Sequence, residues 1–469
     1  MFYVTGQTFI SSLADYKKYT VKTTSLASTS TAPLHTNERN NQVDATVLIN
    51  GQQKLERALT WFPAILILAC LLPLLAYLYI LLALPEIMKS TNLAFDNDPN
   101  NNSYNNSNNN SNGGANNLPL ILACPTLRPR QPAKSVDDLR ADDIKVVIGV
   151  GDSVMAGFGA KGVQNEKYIS LDTIREARGI SFAMGGDHGA ITIPNLINFY
   201  SHNLYGASVG DQIITICFGD GFCPIGQYRP SIDVLNAAQS GARSLNIDHE
   251  LDYILKQLDK AYQDDRIKRT DWKLLTFFIG SNDLCHSCAV KSSLPGPFSI
   301  DVQLAIERIR LTIPYVLVQI IGLIRIDEIY TATEAYPSYC RPFQQSDFVL
   351  HDHECMCAHT AANRTFMAQL MPQFNTALQK VATQYQGPMY TNNTFTVIYH
   401  PLPADINSFP IQAISDVDCF HPSELAHAWF SKELWKMMHT PSSQTPQILT
   451  FSSDEPIYCI KDEDRLQVH

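Results

Sequence analysis

The first chemical feature of the sequence is a serine placed where it could act as a nucleophile. Ser153 stands in the string Gly151-Asp152-Ser153, directly after the apolar run Lys145–Val150. A serine at a glycine turn after a strand presents its hydroxyl beside a backbone N–H, but a free hydroxyl is a poor nucleophile and needs an adjacent base. Because so short a string is common by chance, the simplest alternative is a serine that caps the following helix.

Three later blocks carry groups that could complete such a site. Gly241 lies in a glycine turn, Asn282 follows another apolar run, and Asp418 and His421 stand close together near the C-terminus. A histidine can remove the serine proton, an aspartate can hold the histidine tautomer, and N–H donors can stabilise an oxyanion. Taken singly, Gly241 is equally well a turn glycine and Asn282 a helix cap.

In this order the four blocks resemble the SGNH (GDSL-type) hydrolases, which are named for Ser, Gly, Asn and His, and they are most similar to the phospholipase B-like branch. The resemblance implies a serine esterase in which Ser153 attacks the ester, His421 is the base and Asp418 orients it. It also implies an oxyanion hole made by the backbone N–H groups of Ser153 and Gly241 and the side-chain amide of Asn282. This chemistry needs neither a metal nor a cofactor.

The resemblance covers residues 124–440 and departs from the family pattern at two positions. Val154 replaces the usual leucine after the nucleophile, and Met155 replaces a small polar residue. Both departures are expected to reshape the acyl pocket without changing the chemistry. Asp187 is interpreted as a structural residue of a glycine turn and is left out of the catalytic set. The supporting strings are Leu139–Lys145, Gly185–Asp187, Ile193–Asn195, Asp271–Lys273, Asn282–Cys285 and Asp418–His421.

A second Asp-x-x-His string offers a competing base. Asp283 precedes His286 by three residues, directly after the third block. The family order favours His421, because it places the base in the last block, ahead of a C-terminal helix. His286 also lies between Cys285 and Cys288, which are expected to pair with each other and so restrict its movement.

The elements that must position these residues alternate between strand and helix patterns. Short β-branched runs alternate with helical periodicity, which predicts an α/β fold with a central parallel sheet and a site at the carboxyl ends of its strands. The resemblance implies the three-layer α/β/α (flavodoxin-like) version of that fold. The predicted strands are Lys145–Val150, Ile232–Leu235, Leu274–Ile279, Tyr315–Ile321 and Phe395–Tyr399, and the predicted helices are Glu250–Asp264, Val302–Leu311, Ala362–Tyr385 and Ser423–Met438.

A long uncharged run predicts one membrane span before this domain. Ala58–Pro85 contains no charged residue and exceeds the roughly 20 residues that cross a bilayer core. More Lys and Arg precede this run than follow it, so the N-terminus is expected in the cytosol. The glycosylation sequons agree, because all follow the run; they begin at Asn101, Asn105, Asn109, Asn363 and Asn392. The prediction is a single-pass type II membrane protein with a luminal or extracellular catalytic domain.

Cysteine usage indicates an oxidising compartment. Of 11 cysteines, Cys70 lies in the apolar run and all the others follow it. An even set on the far side of a membrane predicts up to five disulfides, with a connectivity that spacing does not fix. Two alternatives use the same residues: a redox site at Cys285-x-x-Cys288 and a zinc site. The zinc ligands would come from His351, His353, Cys355, Cys357 and Cys285–Cys288.

Composition limits the partners. With 35 Lys and Arg against 45 Asp and Glu, the net charge is −10, which disfavours a general nucleic-acid binder.

Outside the predicted domain, low complexity or lack of periodicity indicates segments without a core of their own. These are a disordered cytosolic tail (1–57) and an Asn-rich stalk (86–123). The transmembrane signal-anchor helix is 58–85, the hydrolase domain is 124–440, and a C-terminal extension (441–469) follows it.

Together these features predict a membrane-tethered serine ester hydrolase. By resemblance it would release fatty acids from phospholipids or lysophospholipids through an acyl-serine intermediate. Two alternatives stay open: an SGNH esterase that acts on another ester, such as a neutral lipid or an acetylated glycan, and a glycosylated ectodomain that binds without catalysis.

Overall fold

The computed structural model describes residues 123–164, 168, 170–217, 223, 226–341, 350–386, 393–444 and 446–468. The predicted tail (1–57), the anchor (58–85) and nearly all of the stalk (86–123) lie outside the described residues, as do all of the sequons except Asn363. Within the described ranges, no helix has both the length and the apolar character that a bilayer span requires.

Four parallel strands form the central sheet. Each is wholly or almost wholly buried, as expected for apolar strands that are covered on both faces. Four of the five predicted strands are thereby confirmed. In spatial order the strands are β1 (Ile144–Gly151), β2 (Trp272–Phe278), β3 (Val316–Ile321) and β4 (Phe395–His400).

The remaining predicted strand, Ile232–Leu235, is wrong. Its first residues belong to a short helix, Pro230–Asp233, which a proline opens because the fixed φ of proline suits the first helical turn. Val234 then adopts a φ of 50°, which no strand residue has. The chain nevertheless runs parallel to β1 just afterwards, through a single bridge between Asn236 and Gly149. The block that carries Gly241 therefore does reach the edge of the sheet.

Helices cover both faces of the sheet. Three long helices lie between successive strands, and α6 (Pro295–Thr312) packs against both α4 (Ile247–Gln263) and α8 (Ala361–Gln384). The helices α2 (Ile193–Ser201) and α9 (Glu424–His439) pack together and contact β1 and β4 respectively. This is a three-layer α/β/α arrangement, and the four predicted helices are confirmed as α4, α6, α8 and α9. The helices are α1 (Ser153–Ala156), α2 (Ile193–Ser201), α3 (Pro230–Asp233), α4 (Ile247–Gln263), α5 (Ser281–His286), α6 (Pro295–Thr312), α7 (Ile329–Thr333), α8 (Ala361–Gln384) and α9 (Glu424–His439).

Disulfides account for all ten cysteines that follow the apolar run, as the sequence predicted. Cys285 and Cys288 pair with Cys355 and Cys357 rather than with each other, so the expected local bridge around His286 is wrong. The same pairing removes the CxxC redox site and the zinc site, since every cysteine they would use is oxidised. The five pairs are Cys124–Cys459, Cys217–Cys223, Cys285–Cys355, Cys288–Cys357 and Cys340–Cys419.

The C-terminal extension packs on the same core. Cys459 is bonded to Cys124, and the backbone N–H of Leu466 donates to the carbonyl of Leu139 at 2.8 Å. The Trp435 indole on α9 donates to the carbonyl of Tyr458 at 2.8 Å. These contacts join the C-terminal extension to the hydrolase domain.

Candidate active site

Ser153 lies at a sharp turn between β1 and α1. The Asp152 carboxylate caps the helix by accepting the Val154 N–H at 3.0 Å, so Ser153 is the first helical residue and not the cap. Gly151 lets the chain lie close to the end of β2, because a Cβ at this position would stand 2.5 Å from the Phe278 carbonyl oxygen. The turn brings the Ser153 hydroxyl to the carboxyl end of the sheet.

The structure brings Ser153, His421 and Asp418 into one hydrogen-bonded chain. His421 Nε2 is 2.7 Å from Ser153 Oγ, and His421 Nδ1 is hydrogen bonded to Asp418 Oδ2. Because a carboxylate only accepts, the Nδ1 proton points to Asp418, and Nε2 is free to accept the serine proton. All three side chains are buried.

The loop before α9 holds the imidazole in this position. Asp418 Oδ1 accepts the backbone N–H groups of Phe420 and His421 at 3.0 and 3.1 Å, so one carboxylate fixes both the loop and the ring. The rings of Phe158 and Phe420 meet the imidazole edge-on, with centroids 4.9 and 5.2 Å away. Between the two polar residues, Cys419 is bonded to Cys340.

Gly241 and Asn282 line the same cavity as Ser153. Gly241 has a φ of 78°, and a Cβ there would stand 2.6 Å from the Cys217 carbonyl oxygen, so only glycine fits this turn. Asn282 lies inside α5, whose cap is Gly280, so the alternative of Asn282 as a helix cap is wrong. One amide hydrogen of Asn282 Nδ2 points to the Ala242 carbonyl at 3.0 Å, which leaves the second for an oxyanion.

The competing histidine, His286, also lines the cavity but has a different partner. Its Nδ1 is 2.7 Å from the Asn282 carbonyl, one turn earlier in the same helix. Asp283 does not orient it: the Asp283 carboxylate is fully buried and accepts the Ser244 N–H at 2.9 Å. Burial raises the pKa of Asp283 to about 7. The hydrogen-bonded relay therefore runs through His421.

Nearby charges raise the affinity of His421 for a proton. Burial opposes a charged ring, but the adjacent Asp418 outweighs it and, with Glu354 and Asp152, holds the pKa of His421 above its usual value. Burial also raises the pKa of Asp152 to about 6. The site is thus arranged to stabilise an imidazolium once a proton has been transferred.

A mostly apolar cavity opens beside this relay. It has a volume of about 650 Å³. Val154 lines it, as expected, but the prediction for Met155 is wrong, because that side chain is fully buried against Gly149 and Gly151 beneath the turn. The apolar lining comprises Val154, Phe158, Ile174, Ile214, Ile216, Val290, Ile324, Ile326, Ile329, Leu350, Met356, Phe420 and Pro422.

Sequence reasoning missed two charged residues of the cavity, Arg243 and Glu354. Arg243 Nη1 donates to Ser293 Oγ at 2.8 Å. Glu354 lies beside the relay. Its Oε2 lies 3.9 Å from His421 Nδ1. Glu354, Asp418 and His421 have side chains of the kinds that bind metals. Both ring nitrogens of His421 already have hydrogen-bond partners, however, so the ring has no nitrogen free for an ion. Nothing in the sequence marks Glu354 except its position next to Cys355.

Asp187 stays outside the cavity, as the sequence indicated. Its carboxylate accepts the Gly210 N–H at 2.7 Å, and its backbone carbonyl accepts the Asn195 side-chain amide at 2.8 Å. These bonds join two loops and support a structural role.

Comparison with known proteins identifies the architecture that carries this relay. The family model described as "GDSL-like Lipase/Acylhydrolase" matches residues 147–434 of the chain. The chain belongs to this family. The GDSL-like lipases and acylhydrolases are carboxylic ester hydrolases. The match covers Ser153, most of β1 and all of β2, β3 and β4.

The curated relatives share one name, and each aligns with this chain over only part of its own length. "Phospholipase B1, membrane-associated" of Mus musculus is 27% identical over 350 residues, which are 72% of this chain and 22% of the relative. The Homo sapiens protein of the same name is 25% identical over 338 residues, 69% of this chain and 21% of the relative. The chain thus aligns with about a fifth of the length of these relatives. An extracellular lipase of Streptomyces rimosus has a TM-score of 0.27 at 13% identity, over 60% of this chain and 94% of that lipase.

Proposed function

We propose that this chain is a phospholipase B-like serine lipase that releases fatty acids from phospholipids or lysophospholipids. The observation that carries the proposal is the 2.7 Å contact between His421 Nε2 and Ser153 Oγ at the wall of an apolar cavity. A nucleophile joined to a base, with the base oriented by a carboxylate, is the arrangement that acyl transfer to serine requires.

The proposed acylation step uses the relay in one direction. Ser153 Oγ attacks the ester carbonyl while its proton passes to His421 Nε2, and Asp418 stabilises the resulting imidazolium. The negative charge on the tetrahedral oxygen is taken by the backbone N–H groups of Ser153 and Gly241 and by the Asn282 amide. Collapse breaks the bond to the leaving alcohol, which receives the proton from His421, and leaves an acyl-serine.

The proposed deacylation step uses the relay again with water. His421 takes a proton from a water molecule, whose oxygen attacks the acyl carbonyl in the same oxyanion hole. The bond to Ser153 Oγ then breaks, the serine regains its proton from His421, and the fatty acid leaves.

The cavity lining favours a long acyl chain. The side chains that surround the nucleophile include Ile174, Ile214 and Ile329, and most of the other lining residues are apolar as well. Burial of each CH₂ group contributes about 0.8 kcal/mol, so such a wall gains affinity from a fatty acyl chain that an acetyl group cannot provide. This observation favours a lipid ester over an acetylated glycan.

We further propose that the hydrolase domain (124–440) is tethered as a type II membrane protein through the anchor 58–85, with a cytosolic tail (1–57), a stalk (86–123) and a C-terminal extension (441–469). Five disulfides form and persist in oxidising compartments, which supports a secretory or extracellular location for the domain. Relatives named as membrane-associated phospholipases are consistent with a membrane substrate.

Product analysis tests the proposed substrate. The full-length protein in detergent is offered phosphatidylcholine, lysophosphatidylcholine, a triacylglycerol and an acetylated sugar, and products are identified by mass spectrometry. The proposal expects free fatty acid and the matching lyso- or glycerophospho-product, absent with Ser153→Ala. Release of acetate alone would move the substrate to acetylated glycans, and no turnover of any ester by folded protein would favour a non-catalytic ectodomain.

A further inference from the structure

A second carboxylate stands on the same side of the catalytic imidazole as Asp418. Glu354 Oε2 is 3.9 Å from His421 Nδ1, the nitrogen that is hydrogen bonded to Asp418. The Glu354 side chain is only 18% exposed. In the described part of the chain, its one ion-pair contact is with this ring. The imidazole therefore faces two carboxylates at Nδ1 and the serine hydroxyl at Nε2.

The backbone that carries Glu354 is anchored to the site by covalent and hydrogen bonds. The next residue, Cys355, is bonded to Cys285 in α5, the helix that also carries Asn282. On the other side, the Tyr330 hydroxyl donates to the His351 carbonyl at 2.7 Å. Because both flanks are fixed, the distance between this carboxylate and the ring is a built feature of the site.

Ionised Glu354 has an electrostatic cost that a nearby positive charge offsets. Burial raises the pKa of Glu354 to about 7, and the nearby Asp418 adds to the rise, while His421 opposes it. Two neighbouring carboxylates that are both ionised repel each other, and a positively charged ring next to both offsets this repulsion. In the proposed mechanism, the reactive form of the resting enzyme has a neutral ring, and the ring becomes positively charged when it takes the serine proton.

We propose that Glu354 is a positioning residue that acts through His421: it shares the Nδ1 side of the imidazole with Asp418 and stabilises the imidazolium that forms when Ser153 attacks. Glu354 takes no proton in this step. The proton moves from Ser153 Oγ to His421 Nε2. Its contribution is larger in the transition state than in the resting enzyme, and so it increases the rate of the chemical step. The inference rests on the proposed serine hydrolase mechanism.

Other titratable groups around the ring do not replace Glu354. Burial lowers the pKa of His351 and raises that of Tyr330, so both are neutral near pH 7. Asp352 is exposed on the same turn, and the main charges that raise the pKa of His421 are Asp418, Glu354 and Asp152. The titratable and charged groups around this part of the site are Asp152 before α1, Arg243 ahead of α4, His286 on α5, Tyr330 on α7, His351, Asp352 and His353 on the preceding turn, Asp418 with His421 before α9, and His427 on α9.

The pH profile of kcat/KM separates this role from simple support of the fold. Activity rises with pH as His421 loses its proton, and removal of a nearby negative charge makes that loss easier. Glu354→Gln should move the rising limb about 0.5–1 unit toward lower pH and reduce plateau kcat about three- to tenfold, since one pKa unit is a tenfold change in the equilibrium. The loss should be larger on the alkaline plateau than on the acidic limb. Glu354→Asp, which keeps the charge, should lie nearer the wild type.

Asp352→Asn is the matched control, because it removes the same charge from an exposed position two residues away. The proposal expects its limb to coincide with that of the wild type. An unmoved limb in Glu354→Gln with equal loss at every pH, or equal shifts in both variants, would overturn it. Failure of the underlying mechanism gives a different result, namely full activity in His421→Ala. If Glu354→Gln does not fold, a Glu354→Asp limb identical to wild type, with unchanged kcat, would equally contradict the proposal.

Discussion

At the scale of single residues, the site combines groups whose roles depend on hydrogen-bond direction. Asp418 accepts from two backbone N–H groups and from the ring of His421, so the same carboxylate sets the loop and the tautomer. Asn282 donates one amide hydrogen to a carbonyl and keeps the other for the cavity. Loss of either group should therefore change the chemical step more than substrate binding.

Asn282→Ala should reduce kcat about 10²–10³-fold with little change in KM, because a lost oxyanion donor affects mainly the transition state. Steady-state kinetics on a lipid ester measures this. The control is Ser287→Ala, which removes a hydroxyl bonded to the Leu284 carbonyl at the end of the same helix and should leave kcat nearly unchanged. A rise in KM alone would reassign Asn282 to substrate binding.

At the scale of elements, three disulfides hold the loops that carry the site. Cys419 lies between Asp418 and His421 and is bonded to Cys340, 79 residues earlier in the chain. Cys217–Cys223 lies beside Gly241, and Cys285–Cys355 joins α5 to the segment with Glu354. Oxidation therefore fixes the relative positions of strand-end loops that the sheet alone only brings near each other.

Replacement of Cys340 and Cys419 by alanine together should lower both stability and kcat, since the base loop loses its covalent anchor. Loss of a native disulfide typically costs about 2–5 kcal/mol. The matched control replaces Cys124 and Cys459, which join the start of the domain to the C-terminal extension. The double replacement of Cys124 and Cys459 should lower the midpoint of thermal unfolding, while kcat at about room temperature stays near the wild-type value. Equal kcat losses in the two double variants would contradict a specific role for Cys419.

Sequence patterns predicted the elements with sustained periodicity and failed where long-range pairing decides the structure. β1 and the turn at Ser153 could be read because a β-branched run ends in glycines. The segment Ile232–Leu235 could not, because an apolar run of this length fits a helix after Pro230 as well as a strand. Glu354 could not be found, because its position depends on a Cys285–Cys355 bond across 70 residues that spacing does not reveal.

At the scale of the whole molecule, we expect a lipase domain on the oxidising side of a membrane. The domain and its C-terminal extension contain the five disulfides, and the half-buried sequon Asn363 lies in the first turn of α8. The apolar cavity beside Ser153 is consistent with the proposed lipid substrate. The predicted anchor 58–85 and the tail 1–57 are the parts that topology experiments can test.

Protease added to sealed microsomes that contain the full-length chain should remove only the tail before Ala58 and leave the hydrolase domain intact. Glycosidase treatment after lysis should then increase gel mobility, and Asn363→Gln should remove part of this shift. Gel mobility with antibodies to each end measures both. Digestion of the domain in sealed vesicles would reverse the orientation and would remove the topological support for an oxidising location.

The most direct test of the central claim is covalent labelling of the full-length protein with a fluorophosphonate, followed by mass spectrometry of its peptides. We expect one adduct, on Ser153. Its rate of formation should fall by about 10³-fold or more in His421→Ala, as expected for the loss of a triad base. In His286→Ala the rate should stay within about tenfold of wild type, since that ring is not in the relay. An adduct on a different residue, or labelling that needs His286 and not His421 in folded, fully oxidised protein, would contradict the account.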